Sequence, residues 1–403
     1  MNRTLKKALS VIAAVLIVFY AASFFFVGFD TRNILKNLDP VSLIDKIAEA
    51  RKFSYVRTTI ANEYVEEADA EKLLEYAYKG MVSSLGDIYS AYYTKEELDD
   101  YLLYREGAFG GIGVTVMKNY ETLVIEVSAF SADSPAEKAG IKAGDNIISA
   151  DGMTFDDRES LDAVIGAIPG DTGTDVVIGV YRPETGENLT FNITRGKIYF
   201  SNVSSRMIGD IGYIRLAGFT KNVSDDFAEA LEKLVKEGMS ALIIDIRGNG
   251  GGSLDEVIRI SDLFLDGGMI VYIEDRYGNR KEHFSKADGY DIPLAVLIDS
   301  GSASASELLA GAVKSNLRGV LIGEKTFGKG IVQTDFYLSD GTAFKITTKK
   351  YYLPSGESIH GTGIIPDIAV EQTDGYANID PESIPEGKDI VLKTALEYLS
   401  ENK

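Results

Sequence analysis

The chain of 403 residues has no cysteine, only two histidines, and a deficit of positive charge, with 41 basic against 61 acidic side chains. Without cysteine there is no disulfide, no thiolate metal site and no cysteine nucleophile. The two histidines, His283 and His360, sit in no motif comparable to the ones described below, so they are not the first place to look for a catalytic base. A formal charge of −20 argues against nucleic acid as a partner, because its binders carry basic footprints. The acidic residues are dispersed among lysines, as on a solvated surface. Internal repeats and long low-complexity stretches are also missing. With 45% apolar residues, a chain of this length is expected to form two or three domains with ordinary cores.

What is present begins at the N-terminus. Arg3, Lys6 and Lys7 precede an uncharged run from Ala8 to Phe29, about 22 residues, which is long enough to span a bilayer as a helix. The basic flank is expected to stay cytoplasmic and to place the rest of the chain outside. A cleaved signal peptide competes, since Ala21-Ala-Ser23 supplies small residues. The apolar run continues through Phe24–Val27, however, which favours an uncleaved anchor over residues 1–30 and a single-pass protein of the cell membrane. Residues 31–105 show helical patterns such as Leu73, Leu74, Ala77, Tyr78 and Met81.

Two segments near the C-terminus carry chemistry. Gly301-Ser-Ala-Ser-Ala-Ser-Glu307 follows the apolar strand pattern Leu294–Ile298 and precedes a helical stripe of Leu308, Leu309, Ala312 and Val313. Its small residues therefore lie at a strand-to-helix turn, where backbone amides favour developing negative charge. A serine hydroxyl there needs a base, and Lys329 follows at a short distance in Gly323-Glu-Lys-Thr-Phe-Gly-Lys-Gly330. Lysine can act as a base if burial pulls its pKa down from about 10.4. Phe327 and Ile331 are candidates for the apolar pocket that would do so. Gly323-x-x-x-x-Gly328-Lys329 nearly matches a phosphate-binding loop, but Gly330 stands where Ser or Thr belongs and Ile331–Tyr337 reads as strand rather than helix. Lys329 and Gln333 share one face of an extended segment, and a bend at Gly330 is expected to bring them together.

A third segment offers backbone amides. The strand pattern Ala241–Ile246 breaks at Arg247-Gly-Asn-Gly-Gly-Gly252, and Ser253-x-x-Glu256 then has the spacing of a capping box before Val257, Ile260, Leu263 and Phe264. Glycines between a buried strand and a helix let amides approach a ligand closely. The order of these glycines does not fit a dinucleotide site.

Together, Asp245–Gly252, Gly301–Glu307, Gly323–Gly330 with Gln333, and Tyr351–Ile359 running into Gly363–Asp367 resemble the carboxyl-terminal processing peptidases, tail-specific Ser–Lys endopeptidases that contain a PDZ domain. The resemblance runs from about residue 40 to the C-terminus. It implies Ser304 as nucleophile, Lys329 as general base, Gln333 as the residue orienting the lysine, and the amides of Gly251 and Ala305 as an oxyanion hole. It also implies an α/β fold: a mixed-sheet, crotonase-like core over residues 198–403, an inserted PDZ domain over 106–197, a helical region over 31–105 that related peptidases use for dimerisation, and one transmembrane helix. No metal and no cofactor is implied. Two positions depart from the family: Gly248-Asn249-Gly250 replaces Asn-Asn-Pro, and Pro169 stands where an arginine is often found.

The PDZ assignment also rests on residues. Phe109-Gly-Gly-Ile-Gly-Val-Thr-Val116 puts glycines before an alternating strand, as a loop needs when its amides receive a peptide carboxylate, and it nominates Gly110, Gly111, Ile112 and Gly113 for substrate binding. Ser134-Pro-Ala-Glu-Lys-Ala-Gly140 reads as a short helix and turn, Ser160–Ile165 as a second helix, and Asp175–Val180 and Leu189–Thr194 as strands. The expectation is a membrane-anchored extracytoplasmic serine endopeptidase, homodimeric, acting on proteins or peptides with a free C-terminus. The rival is a catalytically silent PDZ scaffold that binds C-terminal tails.

Overall fold

The computed structural model describes residues 40–118, 124–155, 166–286, 289–372, 376, 380–385 and 387–402. The apolar run of residues 8–29 and the helix expected at 160–165 lie outside them. Among the described residues no helix is long and apolar enough to cross a membrane. The chain divides into two compact units: one holds the described residues through Leu98 with Gln333–Thr347, the other Asp99–Val332 and the chain from Thr348 onward.

In the first unit, α1 (Pro40–Glu63) precedes α2 (Ala70–Ser83). The Asp69 carboxylate caps α2 by accepting the amides of Glu71 and Lys72, which would otherwise lack helical partners. No residue of α2 is fully buried, and Tyr76, Tyr78 and Met81 stand exposed on it, as do Phe53, Tyr55 and Val56 on α1. β1 (Ala91–Tyr93) is followed by α3 (Lys95–Arg105), which from Asp99 onward is counted with the second unit. β1 pairs antiparallel with the start of β18 (Ala343–Tyr352), Ala91 opposite Lys345 and Tyr93 opposite Ala343.

The second unit contains two sheets of six strands each. The chain enters and leaves the first through a ribbon of β2 (Ala108–Gly111) against β9 (Gly196–Tyr199). Between them lie β3 (Val114–Lys118), β4 (Ile125–Phe130), β5 (Asn146–Ala150), β6 (Met153–Thr154), β7 (Asp175–Arg182) and β8 (Glu187–Thr194), in the antiparallel order β3-β4-β5-β7-β8 with β6 beside β5. Val176, Ile178 and Val180 of β7 alternate inward onto Val127 and Ile147, as the two-residue period of a strand dictates. The short helix α4 (Pro135–Ala139) has its predicted punctuation, with the Ser134 hydroxyl accepting from Glu137 N and Gly140 ending it at φ 103°.

The other sheet runs β10 (Val203–Ile208), β11 (Ile211–Leu216), β12 (Ala241–Asp245), β15 (Leu294–Ile298), β16 (Val320–Gly323) and β19 (Ile368–Ala369). β10 is antiparallel and the others are parallel, so the sheet is mixed. Its central strands β12, β15 and β16 are buried on both faces. Leu242, Ile244, Val296 and Ile298 pack against α5 (Val223–Lys236), α6 (Leu254–Asp262) and α7 (Ala305–Ser315). Ile243, Ala295, Leu297 and Ile322 face Val391, Ala395 and Leu399 of α8 (Ile390–Glu401). Two-sided burial is what continuous apolar runs such as Leu294–Ile298 signal. The hairpin β13 (Met269–Asp275) and β14 (Arg280–Phe284) continues, through β13, onto the end of β18. β17 (Ile331–Tyr337) follows Gly330 as a strand, where a phosphate-binding loop would require a helix.

The capping box expected at Ser253 forms only by half. The Ser253 hydroxyl accepts from Glu256 N at 3.4 Å, but the Glu256 carboxylate turns to the amide of Ser224, and Ser253 N donates to the Phe219 carbonyl. The tertiary contact of α5 with α6 outcompetes the local one.

α8 is fastened by charge. Arg247, buried just past β12, lies 2.6 Å from Asp245 Oδ2 and 2.7 Å from Asp389 Oδ2, and Asp389 also caps α8 through Leu392 N. Burial opposes ionisation of Asp245, but the Arg247 charge and its hydrogen bonds outweigh it and hold this carboxyl below the ordinary aspartate range. A depressed carboxyl contributes stability that is complete above the unfolded pKa of about 4 and is lost as pH falls through the folded value. Urea unfolding is therefore expected to show stability declining below about pH 4. The variant Asp389→Ala should be about 3 kcal/mol less stable at pH 7, because a buried guanidinium loses one of two partners and α8 loses its cap. A wild-type urea midpoint in that variant would show that the triad does not hold the helix.

Candidate active site

The serine turn is assembled from β15 and α7, which deliver the chain to the carboxyl end of the sheet's strands and carry it away. Within it the three serines differ. Ser302 and Ser306 are fully buried, and their hydroxyls donate to the carbonyls of Ile246 (2.9 Å) and Asn249 (2.7 Å). Ser304 alone is partly exposed, and its backbone sits at φ 56°, ψ −113°. For a residue with a Cβ that conformation costs about 1–3 kcal/mol, held only where surroundings over-determine it. Here they do. Asp299 Oδ1 accepts the amides of Gly301, Ser302 and Gly248, and Ser304 N donates to Glu307 Oε2 at 2.9 Å.

The glycine loop lies directly against this turn. A Cβ on Gly251, at φ 102°, would stand 2.7 Å from Ala303 O, 2.8 Å from Ser304 Cβ and 3.0 Å from Ala305 N. No other residue type fits, which explains the glycine in physical terms. Asn249 seals the contact from beneath: its side chain donates to Leu216 O, and its carbonyl accepts from Ala303 N and the Ser306 hydroxyl. The two amides expected to form an oxyanion hole are thus brought together at Ser304, but they are not equivalent. Ala305 is the first residue of α7, where the N–H has no partner within the helix. The Gly251 N–H is already donated to Asn249 Oδ1 at 2.9 Å, because the Asn249 side chain folds back over its own loop.

Lys329 reaches the same place from the segment between β16 and β17. Its amide donates to Glu307 Oε2 at 2.8 Å, so the backbones of Ser304 and Lys329 share one carboxylate oxygen. The other oxygen, Oε1, accepts the Thr326 hydroxyl at 2.6 Å and Gly328 N at 2.7 Å. The glycines beside Lys329 are needed for close approach: a Cβ on Gly328 would meet Gly363 N at 2.9 Å, and one on Gly330 would meet His360 N at 2.7 Å. Lys329 is half-buried. Of the two side chains expected to shield it, Ile331 is buried, but Phe327 is 55% exposed, because its amide is drawn to Ser302 O and its ring is left outside. Gln333 belongs to the other unit, where its amide donates to Thr347 Oγ1 at 3.1 Å.

In the inserted domain the four predicted carboxylate-binding residues divide. Gly110 and Gly111 are in β2, paired with Lys197 and Gly196 of β9. Ile112 and Gly113 form the connection to β3, with Ile112 buried, its carbonyl accepting from Ala136 N and the Ser134 hydroxyl, and Gly113 at φ 73°. Among the described residues β3 pairs only with β4 and so stands at the edge of its sheet. Beside this connection, Gly170 N donates to Gly110 O, and the buried Arg195 holds Ile168 O, Asp175 O and the Thr174 hydroxyl. Among the described residues no group of His, Cys, Asp and Glu has the arrangement of a metal site.

Glu307, Asn249 and Thr326 were not singled out as functional by the sequence reading. Glu307 was visible there as the one charged residue in an otherwise small or apolar stretch at the start of α7, and that was the available signal.

The chain is similar to known proteins over most of its length. Residues 210–370 match the model of peptidase family S41, residues 110–194 that of the PDZ domain, and residues 30–97 that of the activating protease CtpB N-terminal domain. The carboxy-terminal processing protease CtpB of Bacillus subtilis is 38% identical over 340 residues, 83% of this chain and 69% of that protein. The carboxy-terminal-processing protease of Bartonella bacilliformis is 38% identical over 328 residues, 80% of this chain and 75% of that one. A solved structure of an S41 protease candidate from Bacteroides fragilis superposes with a TM-score of 0.51 over 87% of this chain and 97% of its own, at 17% identity, and so speaks for the fold alone. With a serine turn, a glycine loop and a PDZ sheet in one chain, and relatives of this identity over this length, the protein belongs to peptidase family S41 and is a carboxy-terminal processing serine protease that carries a PDZ domain.

Proposed function

We propose that this protein cleaves peptide bonds with Ser304 as nucleophile and Lys329 as general base. The observation that carries the proposal is the difference among three neighbouring serines. Ser302 and Ser306 spend their hydroxyls on buried carbonyls, whereas Ser304 is strained, partly exposed and tied to Lys329 through one carboxylate oxygen. In the reaction, neutral Lys329 Nζ takes the Ser304 hydroxyl proton as Oγ bonds to the scissile carbonyl carbon. The resulting oxyanion meets the Ala305 N–H at the positive end of α7, and the Gly251 N–H joins it by exchanging its bond to Asn249. Lys329 then returns the proton to the leaving amine. Water, deprotonated in the same way, releases the acyl group as a carboxylate and restores Ser304.

Tail recognition is assigned to the PDZ domain. The free edge of β3 supports addition of an extended peptide, and the backbone at Ile112–Gly113 leads straight into that edge, where a terminal carboxylate would meet amides. The apolar run of residues 8–29 anchors the chain in the cell membrane with the protease outside the cytoplasm. The exposed aromatic side chains Phe53 and Tyr55 of α1 and Tyr76 of α2 support a homodimer formed through this region.

Four measurements test this reading. Ser304→Ala and Lys329→Ala should each remove cleavage of a reporter peptide while leaving the thermal melt intact, since nucleophile and base work as a unit. The wild-type rate should rise with pH through a neutral to mildly alkaline midpoint, and a rise only near pH 10 would rule out a preorganised lysine base. Between matched peptides with free and amidated C-termini, the free form should be cleaved with the lower KM, and equal constants would remove tail capture from the PDZ domain. Full-length protein expressed in cells should sediment with membranes and run as a dimer in mild detergent, whereas a variant lacking residues 1–29 should be released. Soluble full-length protein would refute the anchor, and a monomer in detergent the dimer.

A further inference from the structure

The reaction scheme above makes no use of Glu307, yet its carboxylate is completely buried and accepts four hydrogen bonds. Two reach Oε2 from the backbone of Ser304 and Lys329, and two reach Oε1 from the Thr326 hydroxyl and Gly328 N. An ionised carboxylate removed from water costs several kcal/mol unless each oxygen is satisfied. Bonds to a charged acceptor are the strong kind, and here all come from two short segments that β15 and β16 deliver independently. Neither segment can shift against the other without stripping donors from a buried charge. Between Glu324 and Gly330 the chain has no regular secondary structure to fix it, so this anchorage takes the place of a ladder. Thr326 extends the arrangement, since its hydroxyl also accepts Ile364 N at 2.7 Å and ties in the turn that packs on Gly328.

We infer that Glu307 is a positioning residue for peptide-bond cleavage: it fixes the Ser304 and Lys329 backbones in one register before substrate arrives. The inference rests on the Ser304–Lys329 reading. Glu307 reaches the reacting groups only through the main chain, and it acts by geometry. Nucleophile and base are useful only within a fraction of an ångström of their productive separation, and a misplacement of about 1 Å costs on the order of a hundredfold in rate. Because tail binding is assigned to the PDZ domain, the loss should fall on kcat and leave KM alone. A purely structural role would lower the amount of folded protein and leave the kcat of what remains.

The test compares Glu307→Gln and Thr326→Val with wild type in the full-length protein, using active-site titration so that only folded enzyme is counted. Glu307→Gln keeps the shape but turns an NH2 group toward N–H donors. It is expected to lose about a hundredfold in kcat with KM within about twofold of wild type, and to react with a fluorophosphonate at Ser304 more slowly in the same proportion. Thr326→Val removes one donor, leaves the carboxylate, and is expected to lose about tenfold in kcat at unchanged KM. A folded Glu307→Gln enzyme with kcat within about threefold of wild type, or with its loss in KM, overturns the inference. If Glu307→Gln does not fold, Thr326→Val decides, and a wild-type kcat there overturns it. Ser304→Ala in the same assay keeps the two levels apart: activity in that variant refutes the Ser304–Lys329 reading itself, whereas an inactive Ser304→Ala beside an active Glu307→Gln removes only the role of Glu307.

Discussion

A buried carboxylate must have its oxygens satisfied, and the site of this protease is arranged around that constraint. Glu307 lies in the first turn of α7, where the helix terminus already favours negative charge, and it draws the serine turn and the lysine segment onto itself. The strain at Ser304 is tolerable only because the chain on both sides is held in this way. Release of the Ser304 amide would return about 1–3 kcal/mol of conformational energy but would leave a buried carboxylate short of one of its four donors, a cost of about the same size.

Close approach is the second requirement. The glycine loop touches the serine turn backbone to backbone at Gly251, and the lysine segment touches the turn at residues 359–363 in the same manner at Gly328 and Gly330. Three segments from three strand ends of one sheet can meet only where side chains are absent at the points of contact. The sheet supplies the rigidity. Its strands are covered on both faces, and the Asp245–Arg247–Asp389 triad clamps α8 beneath the strand from which the glycine loop emerges. The PDZ sheet is joined to this unit by the β2–β9 ribbon, so its free edge and the protease core are parts of one compact unit.

Much of this was legible beforehand, for reasons that are local. The strand Leu294–Ile298, the helix after Glu307, the strand after Gly330 and the Ser134–Gly140 helix each follow from period, caps and small residues within a few positions of one another. Where the reading went astray, a long-range partner intervened. Glu256 has the spacing to complete a capping box and instead serves Ser224, which is close only because α5 packs on α6. Phe327 is apolar and adjacent to Lys329, yet its amide is taken by Ser302, and the ring ends outside. Asn249, the middle residue of Gly248-Asn249-Gly250, was given no role of its own by pattern. In the fold it occupies the Gly251 amide and bridges two loops.

The sequence by itself determined the kind of protein: a family S41 serine protease with a PDZ domain, because such motifs encode local backbone geometry that few other sequences adopt. It also determined the absence of cysteine chemistry, which no fold can restore. Only the tertiary structure decided which of three equivalent serines is presented, since that depends on which hydroxyls find carbonyls across a packed interface. It alone decided that Glu307, an ordinary helix-start residue by pattern, would gather donors 19, 21 and 22 residues along the chain. Hydrogen-bond partners at that separation are fixed by how strands stack, and stacking is a property of the whole sheet.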